Sequence, residues 1–172
     1  VFRQTTARLP WLLIGMLGGI GNSMILGNFD TTFAAHPEMA LYIPLIGGTG
    51  GNVGTQSSAL VVQGLANSSL DANNTWKQIL KESVVALINA TIISMLVYIY
   101  NFICFGATAT VTYSVSLSLF AVIMFASIFG TLVPLTLNKM KIDPAIATGP
   151  FITTTNDILA MVFYMGIIAL LA

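Results

Sequence analysis

Apolar residues run along this chain in blocks much longer than one face of an amphipathic helix would need, separated by short polar breaks. A helix needs about 20 apolar residues, at 1.5 Å rise each, to cross a hydrocarbon core about 30 Å thick. Residues 9–29 make one uncharged block of that length, and residues 39–66 a second that contains Pro44 and a run of glycines. From Ser83 to Asn138 there is no charge, a stretch too long for one helix. The segment "FGATATVTY" at 105–113 divides it, because a glycine followed by β-branched and polar residues breaks a helix. The pattern therefore predicts helices over 78–105 and 111–138, with Pro134 as a late kink or end of the latter. Residues 146–172 make a fifth block, apolar except for Asp157. The expected fold is an all-α integral membrane protein, five transmembrane helices in one domain covering 1–172.

The polar breaks carry the orientation signal. Lys and Arg near span ends favour the cytoplasmic side. Arg3 and Arg8 precede the first span, Lys77 and Lys81 follow the second, and Lys139 and Lys141 follow the fourth; these are all six basic residues. With five crossings they fall on one side, whereas four or six would scatter them. Asp30, His36 and Glu38 occupy the other side. The expectation is a multi-pass protein of the cell membrane, N-terminus cytoplasmic and C-terminus outside. The hydrophilic break "NSSLDANNTWKQ" at 67–78 then lies in the cytoplasm, where its glycosylation-like triplets at Asn67 and Asn73 are coincidental. Trp76 and the neighbouring lysines suit the headgroup level.

Composition agrees with the pattern. The chain is 56% hydrophobic and 7% charged, against about 25% charged in soluble domains, and its mean hydropathy is +0.88. Lipid is the expected surrounding, and with zero net charge and no basic cluster there is no signature of nucleic-acid binding. Cys104 is the only cysteine, which excludes an internal disulfide and a cysteine metal cluster. The chain opens on Val1 rather than methionine, as an excised piece of a longer protein would.

One acid changes the picture. Asp157 lies eleven residues after Ile146, about 17 Å along a helix and so near mid-depth. A carboxylate there costs at least ~2.5 kcal/mol and faces water or a partner. Lys81 sits at a span end, and no basic residue lies in the apolar interior of any span to pair with Asp157. Glu82, beside Lys81 at a span end, reads instead as interfacial. The run "GPFITTTND" brings Thr153, Thr154, Thr155 and Asn156 close to Asp157, with Thr153 on its helix face. Pro150 lacks an amide hydrogen and would leave the Ile146 carbonyl without a donor. An irregular backbone here would also let the carbonyls of Gly149 and Thr153 point into a cavity.

Glycines crowd the second span, in "YIPLIGGTGGNVGTQSSALVVQGLA" at 42–66. Gly47/Gly51 and Gly50/Gly54 form GxxxG pairs that let helices approach, and Gly15/Gly19 in the first span reads the same way. Packing alone does not call for Asn52, Thr55 and Gln56 among the glycines. Exposed carbonyls and these polar groups suit a passage, so one face is expected to pack and the other to line it. A carboxylate among neutral oxygens suits a hard cation. Ca²⁺ wants six to eight oxygen ligands, whereas Mg²⁺ keeps much of its water. A two-fold axis would double Asp157 into a minimal acidic ring.

These residues resemble a known family. "RLPWLLIGML" at 8–17, the glycine segment at 42–66 and "DPAIATGPFITTTND" at 143–157 are similar to the transmembrane domain of MgtE-type magnesium channels, relatives of animal solute-carrier family 41. The resemblance covers essentially the whole chain. It implies a homodimer of five helices per chain with a pore on the two-fold axis, and Mg²⁺ as the transported ion, with Mn²⁺ or Ca²⁺ as further ions it could bind. It implies Asp157 as the selectivity acid toward largely hydrated Mg²⁺, with Gly48, Gly51, Gly149 and Thr153 as outer contacts and Thr55 in the polar lining. Asn52, Gln56, Thr154 and Asn156 complete the expected polar wall. Family members also carry an N-terminal cytoplasmic domain, a CBS pair and a connecting helix. They often have Arg where this chain has Gln63, a departure that bears on any ion pair there.

The function expected is a Mg²⁺-selective channel, not an enzyme, passing the ion down its electrochemical gradient. A coupled divalent-cation exchanger using the same acid is the alternative. An intramembrane aspartyl protease is remote: it needs two acids sharing a proton, and no GxGD-type sequence surrounds Asp157.

Overall fold

The computed structural model describes residues 2–70, 74–106, 110–147 and 149–171. Every regular element among them is helical: α1 (Phe2–Gly27), α2 (Asp30–Ala35), α3 (Ile43–Ala66), α4 (Thr75–Phe105), α5 (Thr110–Lys139) and α6 (Pro150–Leu171). Short 3-10 turns over Pro37–Tyr42 and Pro144–Ala147 lead into α3 and α6. Four helices among the described residues, α1, α4, α5 and α6, are long and apolar enough to cross a membrane. The expected fifth, α3, has 24 residues but is not among the four. Its glycines and amides dilute its hydropathy, and its inner face is covered by protein rather than lipid.

Helix ends follow local chemistry. Gly106 ends α4 with φ +91°, and its N–H bonds the Phe102 carbonyl at 3.0 Å. Residues 107–109 of the expected break lie outside the described residues, as does Asn73 of the glycosylation-like pair. Pro150 departs from expectation. It sits at the first position of α6 rather than inside a span starting at 146, where a missing N–H costs nothing, so it orphans no helical carbonyl of Ile146. Gly149 precedes it with φ +93°. Pro134 neither ends nor divides α5, which runs on to Lys139.

α5 is the hub, packed against α3, α4 and α6, while α1 docks on α6. α4 reaches α5 through small residues one turn apart, Ala86, Ala90 and Ser94, all buried. The apolar core gathers Ile46, Val115, Leu119, Val122, Met161 and Tyr164. Two hydroxyls tie down the turn before α3: Tyr164 donates to the Met39 carbonyl at 2.7 Å, and Tyr42 donates to Asn101 Oδ1 on α4 at 2.5 Å. Leu12, Leu17, Met24, Leu87, Ile92 and Ile103 are exposed, as side chains facing lipid tails would be.

The glycine pairs divide as the local geometry dictates. Gly50 and Gly54 pack: a Cβ on Gly50 would lie 2.9 Å from Val122 and 3.2 Å from Ala160, and one on Gly54 would collide with Asn156. Gly130 of α5 closes on the Gly54 backbone, its hypothetical Cβ 3.0 Å from Gly54 Cα and nearer still to Gly54 O. Gly15 and Gly19, expected to pack, have nothing of their own chain within 4 Å, and Gly18 and Gly21 are the glycines of α1 that meet α6, at Thr154 and Ile158.

Candidate functional site

Thr153, Asp157 and Met161 recur every four residues and so share one face of α6. That face looks onto Gly47, Gly48 and Gly51 of α3 across a cavity of about 260 Å³, closed on another side by Asn22 of α1. Asp157 is half-buried there. Among the described residues the one ion pair is His36–Glu38 at 3.4 Å, so the Asp157 carboxylate has no basic partner. Gly51 makes the approach possible: a Cβ on it would lie 2.9 Å from Asp157 Oδ1 and 3.2 Å from Thr153 Cγ2. Gly48, with nothing within 4 Å of its missing Cβ, leaves open space.

Hydroxyls extend the wall. Thr55 Oγ1 donates to the Gly51 carbonyl at 2.8 Å and lies 3.3 Å from Thr153 Oγ1. Thr153 in turn bonds the Gly149 carbonyl through its N–H at 3.1 Å and its Oγ1 at 3.2 Å. Gly149 therefore anchors the start of α6 and does not line the cavity. Asp157, Thr153, Gly48, Gly51 and Asn52 come together around one space, with Thr55 just beyond it. Gln56 turns away to a second cleft shared with Asn52 and Asn89 of α4. Thr154 faces Gly18. Asn156 is 1% exposed and seated over Gly54, with neither amide atom hydrogen-bonded.

One polar group went unnoticed in the sequence and a second has a role the sequence did not suggest. Asn22 lines the Asp157 cavity, and its Oδ1 is buried without a partner; the only signal was an amide inside an uncharged block, which also holds Asn28. Glu82, expected at the interface, turns inward: its Oε1 accepts from Ser57 of α3 at 2.7 Å and from Ser127 of α5.

The cavity offers one carboxylate and neutral oxygens, a hard-cation donor set. Among the described residues no three of His, Cys, Asp and Glu gather as a metal cluster. A helical membrane protein with an acidic, glycine-walled cavity belongs to the class of cation transporters in its chemistry.

The comparisons give the family. Residues 43–167 match the MgtE family, described as a divalent cation transporter, and the chain belongs to it. It is 35% identical over 160 residues to the magnesium transporter MgtE of Bacillus subtilis, covering 93% of the chain and 35% of that protein. It is 32% identical over 165 residues to the magnesium transporter MgtE of Thermus thermophilus, covering 96% and 36%. The chain spans about a third of the length of these relatives.

Proposed function

We propose that this chain is the pore domain of a magnesium channel that passes largely hydrated Mg²⁺ across the cell membrane down its electrochemical gradient. The observation that carries the reading is the Asp157 carboxylate, half-buried without a basic partner and facing the bare backbone of α3 across about 260 Å³. Six waters need roughly 180 Å³ at about 30 Å³ each, so the space admits an ion that keeps its shell, which Mg²⁺ is slow to shed. Moving two charges inward gains about 4.6 kcal/mol per 100 mV, enough to drive uptake without a coupled ion.

The reading includes five crossings, α3 being the fifth, since 24 residues reach about 36 Å at 1.5 Å each. It also includes a second copy. Asn52, Gln56 and Asn89 line a cleft on the outer face of α3 and α4, and lipid offers their amides no hydrogen-bond partner. A two-fold mate covering that face would bring two Asp157 carboxylates to one pore and favour divalent occupancy by their mutual repulsion. Regulatory domains of the same polypeptide are the expected further partners.

The test is Mg²⁺ flux into liposomes. The wild-type chain should conduct with a membrane potential alone, be blocked by cobalt hexammine, and lose at least tenfold in flux as Asp157→Ala. Flux that ignores the potential but follows a Na⁺ gradient would replace the channel by an exchanger. An unaltered Asp157→Ala flux would remove the site.

A further inference from the structure

Glu82 is the acid the Mg²⁺ pathway does not use. It lies on a cavity of about 310 Å³ among α3, α4 and α5 that shares no residue with the Asp157 cavity. Along α3, Ser57 lies six residues beyond Gly51, about 9 Å further at 1.5 Å per residue.

Three helix faces converge on this cavity. From α3 comes Ser57, 5% exposed. From α4 comes Glu82, half-buried, on the same face as Gln78 one turn before it. From α5 comes Thr131, 1% exposed, with Ser127, 3% exposed, one turn before it on the same face and bonded to Glu82. Ser57 and Ser127 hydroxyls lie 3.1 Å from each other, and both donate to Glu82 Oε1. One oxygen of the Glu82 carboxylate thus accepts from two hydroxyls on two different helices.

That charge has no counter-charge among the described residues, where the single ion pair is His36–Glu38. Lys81 also borders the cavity, but it makes no ion pair with Glu82. An unpaired charge inside a protein is costly and calls for a partner. Thr131 is the independent sign of what is missing. Its buried Oγ1 lies on the cavity wall without a hydrogen-bond partner, whereas Ser116, Ser118 and Thr136 of the same helix return their hydroxyls to the preceding turn and Ser114, also unpartnered, does not line this cavity.

We infer that Glu82, Ser57, Ser127 and Thr131 form a binding site for a monovalent alkali cation, separate from the Asp157 cavity. One carboxylate balances one positive charge, and three hydroxyls supply neutral oxygen donors to a hard ion. Ca²⁺ would want more ligands, and Mg²⁺ would be left half-neutralised in an asymmetric set that does not suit its octahedron. No sulfur or imidazole lines the cavity to draw a transition metal. The bound ion would complete the Thr131 hydroxyl and pin α4 to α3 and α5.

The test is thermal unfolding of the purified chain in detergent at constant ionic strength, with NaCl, KCl, choline chloride and MgCl₂ compared. NaCl or KCl should raise the Tm saturably, by about 5–10 °C at a hundredfold excess over Kd, and choline should not. Asp157→Asn should keep the shift and Glu82→Gln should lose it. Thr131→Val, which keeps shape and removes one oxygen, should weaken the apparent affinity about threefold to tenfold, and it decides the matter if Glu82→Gln does not fold. A shift with choline, a shift with MgCl₂ alone, or unchanged affinity in Thr131→Val would overturn the site. So would an alkali-cation response seen only after Lys81→Met, since Lys81 would then be the occupant.

Discussion

At the scale of single residues, the proposed pathway depends on what Gly51 lacks. A methyl there would stand 2.9 Å from Asp157 Oδ1 and 3.2 Å from Thr153 Cγ2, distances at which the side chains must move. Gly51→Ala is expected to fold, because the clash falls on side-chain atoms, but to cut Mg²⁺ flux on the order of tenfold, one step of about 1.4 kcal/mol. Gly19→Ala, with nothing within 4 Å, should leave flux unchanged; equal effects of the two in liposome assays would detach the carboxylate from the α3 backbone. Asp157 was legible because an acid in an apolar block has so few structural explanations. Glu82 was not, because its neighbour Lys81 supplied a bland one. The angle around α4 that turns Glu82 toward Ser57 and Ser127 is decided by packing, which no run of residue types records. Asn22 was hidden, and Asn156 was expected in the polar wall but is buried over Gly54, for the same reason: an amide in an apolar stretch faces lipid, protein or cavity according to neighbours distant in sequence.

At the scale of elements, periodicity revealed that helices approach closely but not which glycine meets which neighbour. The pair Gly15/Gly19 satisfies the spacing and touches nothing of its own chain, while Gly18, one position away from Gly19, receives Thr154. Helix existence and breaks were readable from block length and from Gly106; helix starts were less so, because Pro150 serves equally well as an interior kink or a first residue until the preceding turn is seen. A close crossing joins α3 and α5 at Gly54 and Gly130, backbone against backbone, where no side chain can rotate away. Gly130→Ala should therefore destabilise the fold by about 1–3 kcal/mol, as overpacking does, despite the higher helix propensity of alanine. Gly166→Ala, with open space around it, should be neutral or slightly stabilising. Thermal unfolding of both variants in one detergent checks the pair, and an unchanged Gly130→Ala would mean that α3 and α5 separate more easily than their contact implies.

At the scale of the whole molecule, the distribution of charge gives the bundle two unlike ends. The segment bearing Asp30, His36 and Glu38 runs into the turn whose Tyr42 grips Asn101 near the end of α4, so those residues and Cys104 share one end. Lys77 and Lys81 lie in the first turns of α4 and Lys139 ends α5, at the other. By the positive-inside rule the lysine end is the one expected in the cytoplasm. Cys104, exposed and in the last turn of α4, then becomes a native reporter of the opposite face. A membrane-impermeant maleimide should label it in intact cells. In a Cys104→Ser background, a cysteine introduced by Ser69→Cys, just beyond α3, should react only after permeabilisation. The reverse pattern would invert the molecule. Labelling of both positions from outside would mean that α4 does not cross, which would undo the five-crossing arrangement and with it the pairing of Asp157 across a two-fold axis.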